Sequence, residues 1–152
     1  MTEMKRPTLA TGVYYRDPVA ALKWLEEAFG FETTMVVQGP DGVLAHSEMR
    51  LGDGMIMVGG EYDERHKSPV STGGVNTHSI HVQLEDGIEA HYERARKAGA
   101  KIVRELADQF YGDRVYTATD PEGHDWSFGQ TFKVMSNDEM AQAGGLAVRD
   151  RL

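Results

Sequence analysis

Cysteine is absent from the chain. That removes disulfides, thiol nucleophiles and thiolate metal sites together. No apolar run approaches the roughly 20 residues that a helix needs to span a bilayer. Met1 to Pro7 is polar and carries no apolar signal-peptide core, so a cytoplasmic protein is expected. Positive charge is scarce: 16 Lys and Arg stand against 24 Asp and Glu, for a formal net charge of -8. Such a chain repels phosphate backbones, so neither nucleic acid nor a membrane is expected as a partner. The 152 residues, 40% hydrophobic and 26% charged, suffice for one soluble domain with a real core.

One pattern is written twice. Asp17-Pro18 precedes an amphipathic run that ends at Ala28-Phe29-Gly30-Phe31. Glu85-Asp86-Gly87 precedes another, ending at Ala98-Gly99-Ala100. Asp17 to Asp86 and Gly30 to Gly99 are both 69 positions apart, and Ala21 and Ala90 share that register. Each glycine is followed by two candidate strands around a turn, Leu51-Gly52-Asp53-Gly54 and Asp120-Pro121-Glu122-Gly123. A shared order at a fixed offset points to a duplicated unit. Duplication tends to place a ligand site between the copies.

The pattern reads as β-α-β-β-β, linker, β-α-β-β-β. Leu9 to Tyr15 alternates as a strand. Asp17 and Pro18 suit the N-cap and first turn of a helix. Ala21, Leu22, Leu25, Ala28 and Phe29 form its apolar stripe, and Gly30 ends it. Thr33 to Gln38, Val43 to Leu51 and Met55 to Val58 complete the first copy. Thr77 to Leu84, Ile88 to Ala98, Lys101 to Arg104, Arg114 to Thr119 and Asp125 to Phe128 form the second. The expected division is 8–59, a linker at 60–76, 77–131, and a polar tail at 132–152 whose Ser136 caps a short helix. The linker reads as a mobile connection or as a flap over a site, and within it Glu61, Asp63, Glu64 and His66 read as a solvated loop rather than a metal site.

Tyr15-Arg16-Asp17-Pro18, Phe29-Gly30-Phe31 and Asp120-Pro121-Glu122-Gly123-His124 stand in the order found in the vicinal oxygen chelate superfamily. That group includes glyoxalase I, bleomycin-resistance proteins and extradiol dioxygenases. His46-Ser47-Glu48-Met49-Arg50-Leu51-Gly52-Asp53, Tyr111-Gly112-Asp113-Arg114 and His124-Asp125-Trp126-Ser127 resemble its PhnB-like, glyoxalase-like branch. The resemblance covers about residues 8 to 131. It implies an α+β fold in which two βαβββ modules form curved mixed sheets around a cavity. It also implies a homodimer. The metal-dependent members hold a divalent cation with one residue from the first and last strand of each module. The corresponding positions here are Ala10, Met57, Ser79 (or His78) and Ser127. Cations need several nitrogen or oxygen ligands. No cofactor is therefore expected, and a metal set of His78, His46 and Glu48 is the alternative.

Strand parity selects the remaining candidates. His78 and His81 are three apart and face opposite ways. Ser79, His81 and Gln83 share the cavity face, where His81 is either a hydrogen-bonded polar residue of the sheet or a ligand donor or general base. His46, Glu48 and Arg50 share a face that is either solvated or part of the pocket. His81, His46 and Glu48 are the catalytic candidates. Tyr14, Met55, Met57, Ser79, Tyr116 and Ser127 are lining candidates, Tyr14, Met55 and Met57 being core filling otherwise, with Arg50 or Arg114 as anchor for an acidic ligand and a surface Asp–Arg ion pair as the other reading of Arg114. Trp24, Trp126 and Phe128 read as core, His124 as a turn cap, and His91 as an exposed helix residue. Two functions follow: sequestration of a small organic ligand without metal, or a lyase, isomerase or dioxygenase acting on a small oxygenated substrate.

Overall fold

A computed structural model describes residues 5–152 of the chain. The first module runs β1 (Thr11–Tyr15), α1 (Pro18–Phe29), β2 (Glu32–Gln38), β3 (Leu44–Leu51) and β4 (Gly54–Gly60). The second runs β5 (Ser79–Leu84), α2 (Ile88–Lys97), β6 (Lys101–Asp108), β7 (Asp113–Thr119) and β8 (Asp125–Thr131). A last helix, α3 (Asn137–Gly144), follows. The sheets have matching orders, β1-β4-β3-β2 and β5-β8-β7-β6. The first strand of each is parallel to the last, and the other neighbours are antiparallel. The fold is α+β, as expected.

Local chemistry sets the first helix. The Asp17 side chain accepts from Ala20 N–H at 3.1 Å, and Pro18 occupies the first turn. Gly30 ends the helix at φ 79°, a conformation that L side chains rarely adopt. The second copy keeps the glycine but not the cap. Gly99 has φ 90°, whereas the N-cap is Gly87, which has no side chain to offer. Gln130 of β8 fills that role by accepting from Ile88 N–H at 2.9 Å. Ser136 caps α3 by accepting from Glu139 N–H.

One core joins both modules. Phe29 of α1 packs against Trp126 and Phe128 of β8, with ring centroids 5.3 and 4.6 Å apart. Val13, Met49, Ile56 and Val58 bury the helix side of the first sheet. The helices lie against each other, and each end is served by the other module. Arg94 donates to the carbonyls of Glu26 and Glu27 at 2.7 Å. Trp24 Nε1–H donates to Ala98 O at 2.8 Å. His91 is not the exposed residue expected. Its Nε2 donates to Phe29 O at 2.8 Å, so its Nδ1 accepts from the Tyr116 hydroxyl at 2.7 Å. Asp120 completes the seam as an acceptor for the Tyr15 hydroxyl at 2.6 Å and Trp126 Nε1–H at 3.0 Å.

The connection between modules departs from expectation. β4 extends through Gly60, and the following residues are fastened rather than loose. Glu61 accepts from Ser68 N–H and from the Ser71 hydroxyl, both at 2.9 Å. Ser68 is fully buried, and its hydroxyl donates to Glu122 at 2.6 Å. Arg16 reaches Val70 O and the Ser71 hydroxyl. No helix among the described residues is long and apolar enough to cross a membrane.

Candidate functional site

Strand alternation turns one face of each sheet to the helices and leaves the other free. On the first sheet the free face carries Tyr14, His46, Glu48, Arg50, Met55 and Met57. Glu48 stands opposite Met57, and Arg50 opposite Met55. A cavity of 810 Å³ opens here, lined by Tyr14, Val43, His46, Met57 and Tyr62 among others. The Tyr14 ring meets Tyr62 and His66 edge-on, at 5.5 and 4.8 Å. Tyr62 stacks on His66 at 4.5 Å. Asp63 Oδ1 takes His66 Nδ1 at 2.7 Å and holds the imidazole in place. Glu61 and Tyr62 of the connecting segment therefore line one side of this cavity, while Asp63, Glu64 and His66 lie outside its lining. The sequence signal for this wall is the spacing Tyr62-x-x-x-His66.

Glu48 is covered, with a side chain 6% exposed. Its cover is Arg6, in the arm before β1. The two guanidinium nitrogens meet the two carboxylate oxygens at 3.0 and 2.8 Å. His46 Nε2 adds a contact at 3.2 Å. The hydrogen bond from Arg6, reinforced by that from His46, holds the carboxyl down to about 2. Arg50 donates to Lys5 O at 3.1 Å and so holds the arm. Nothing in the pattern around Arg6 marks it from sequence.

On the second sheet the free face carries a hydrogen-bonded chain. Gln83 Nε2 donates to Asp113 at 3.2 Å and to the Thr131 hydroxyl at 3.1 Å. Its Oε1 therefore faces His81 Nε2, at 2.8 Å, which must donate. His81 Nδ1 is left as an acceptor for the Ser127 hydroxyl at 2.8 Å. A cleft of 510 Å³ runs along β5 and is lined by both modules: Thr11, Met55, His78, Ser79, His81 and Gln83. The expected single site is thus divided. Tyr14, His46 and Met57 face one hollow, while Met55, Ser79 and His81 face the other.

The Glyoxalase/Bleomycin resistance protein/Dioxygenase superfamily matches residues 9–128. The chain belongs to that superfamily. It is 33% identical to an uncharacterised protein of Mycobacterium bovis over 141 residues, covering 90% of this chain and 91% of that one. Its fold matches the crystal structure of TioX from Micromonospora sp. ML1 with TM-score 0.66 and 31% identity, over 86% of this chain and 100% of that one. FosX of Mesorhizobium loti, a fosfomycin resistance protein, shares the fold alone, with TM-score 0.57, 14% identity, and 84% and 93% of the two chains covered.

Membership of the superfamily makes the metal positions a fair test. Ala10, Met57, Ser79 and Ser127 offer a methyl, a thioether and two hydroxyls, a poor set for a divalent cation. No group of three or more His, Cys, Asp or Glu among the described residues could hold a metal ion. The alternative set fails on geometry. His46 pairs with Glu48, but His78 lies in the other cleft with its Nε2 on the Thr11 hydroxyl at 2.9 Å.

Two further candidates are displaced. Tyr116 is fully buried on the helix side of β7 and forms part of the core. Arg114 shares that side and is held by Asp108 at 2.6 Å and by Glu89 at the start of α2. Both were placed by a shared parity that is real but points to the helices, because β7 pairs Tyr116 with core residue Phe128. Arg50 does lie on the free face, but beside a carboxylate, which is the wrong neighbour for an acidic ligand.

Proposed function

We propose that this protein binds a small organic molecule on the helix-free face of its first sheet, in a sequestration or resistance role. The observation that carries this is the 810 Å³ cavity between Met57 and the aromatic wall of Tyr14 and Tyr62. Its volume is in the range of small-molecule pockets, and Arg16, His46 and Glu61 on its wall already have partners outside it. Met57 and the tyrosines offer apolar area that adapts to shape. Membership of a superfamily whose description includes bleomycin resistance agrees with such a role.

A second copy of the chain completes the site. Met35 and Val37 on β2 are 42% and 45% exposed, and His81 and Gln83 on the second sheet also face solvent. Uncovered apolar side chains beside a pocket mark an interaction surface.

The cavity is tested with the neutral fluorophore N-phenyl-1-naphthylamine. Its emission rises on addition of the protein, with micromolar affinity. Met57→Trp fills the cavity and weakens binding by roughly tenfold. Equal affinity in both proteins places the dye elsewhere and removes the reading.

A second reading, an enzyme, is favoured by the Ser127–His81–Gln83 chain. The base accepts from a hydroxyl and is itself oriented by a third group. Thr117 stands opposite Ser127, and its hydroxyl is buried without a partner among the described residues.

A further inference from the structure

We propose that Glu48 is the anchor of a cation site on the helix-free face of the first sheet, and that Arg6 occupies it as an internal stand-in for a ligand guanidinium. This rests on the reading that the ligand binds on that face, and it names the chemical class.

A carboxylate taken out of water needs a cationic partner. Glu48 is fixed in the middle of β3, where two ladders hold its backbone. Its partner is of another kind. Arg6 lies in a stretch with no helix or strand, and its side chain is 59% exposed. The acceptor is rigid and the donor is on a tether. Such a pairing can be exchanged when the arm lifts, a movement that also breaks the Arg50 hydrogen bond to Lys5 O. Glu48 is covered rather than deep, so its carboxylate is rehydrated once the arm moves.

The groups around Glu48 leave the vacancy to a cation. His46 Nε2 contacts one oxygen from the side, and Arg50 is engaged with the Lys5 carbonyl. Arg6 alone meets both oxygens, the forked geometry that a guanidinium gives. The 810 Å³ cavity ends beside this point, with Glu48 and Arg6 just outside its lining. It is lined by His46, two residues before Glu48 on the same face, and by Met57, directly opposite Glu48. A ligand lying in the cavity with a guanidinium or amine end would extend under the arm to the carboxylate. The net charge of -8 favours approach of such a ligand. The arm would then act as a competitor built into the chain, reducing apparent affinity by the fraction of time that it is down.

The test is calorimetric titration of benzylguanidinium, with neutral benzylurea as control. Arg6→Ala is expected to bind benzylguanidinium roughly tenfold more tightly than the unmodified chain, and Glu48→Gln in the same background to cancel the gain. Benzylurea should show no such difference. Unchanged guanidinium affinity in Arg6→Ala, or a gain that survives Glu48→Gln, overturns the proposal. A carboxyl-carbon NMR titration keeps the result readable if either variant binds weakly. The Glu48 midpoint should climb from about 2 towards the ordinary 4.5 in Arg6→Ala and fall again on saturation with benzylguanidinium. A midpoint that ignores the ligand also overturns it. Failure of the naphthylamine to bind the unmodified chain would instead count against the cavity itself.

Discussion

Two side chains on the free faces show opposite solutions to the same constraint. Glu48 is charged, covered and paired with an arginine. Its low carboxyl makes the pair a source of stability above the usual carboxylate range, fading as pH falls from about 4.5 towards 2. His81 is exposed and held in a hydrogen-bonded chain that fixes its tautomer. That tautomer leaves Nδ1 free to take the Ser127 proton. If the enzyme reading holds, a fluorophosphonate labels Ser127, seen as a mass increase on one peptide. The rate then drops by about a hundredfold or more in His81→Ala, the lower range for loss of a general base. Equal labelling rates in the two proteins would reduce the pair to a structural hydrogen bond.

Between elements, the decisive contacts are those at the helix ends. An α-helix leaves its last carbonyls unsatisfied, and burial makes that costly. Here Arg94 and His91 of α2 serve the end of α1, while Trp24 of α1 serves the end of α2. His91 does this as a neutral ring, and burial pushes it below its ordinary 6.5. The unfolded chain takes up a proton near 6.5, and the folded one resists it. Stability therefore declines as pH drops through and below that value. The melting temperature should fall more between pH 7.5 and 5.5 in the unmodified chain than in His91→Gln. Identical slopes would clear His91 of the effect.

At the scale of the whole molecule, the open free faces predict association. Sedimentation at micromolar concentration should give twice the 16.9 kDa of one chain. Met35→Glu combined with Val37→Glu should return it to one and weaken naphthylamine binding. A monomeric unmodified chain would mean that one copy suffices. The element order was legible because caps, glycines and apolar stripes act within a few residues: Asp17, Gly30 and Gly99 behave as their spacing implied. Strand alternation also identified Tyr14, Met57 and His81 as free-face residues. It failed for Tyr116 and Arg114 because parity defines two faces without saying which one the helices cover. Tyr15 finds Asp120 across 105 positions and Trp24 finds Ala98 across 74, and no local pattern announces either. Arg6 was beyond reach for a related reason, since an arm without regular structure has no period to read.

The reciprocal capping of α1 and α2 bears on how such a chain can change over generations. A substitution at Trp24 is felt at Ala98, and one at Arg94 is felt at Glu26. Whatever equivalence the two copies once had, neither is free to drift alone. Variation tolerated in one half is set by what the other half has already become, so exchanging a module between relatives should succeed only when its counterpart travels with it.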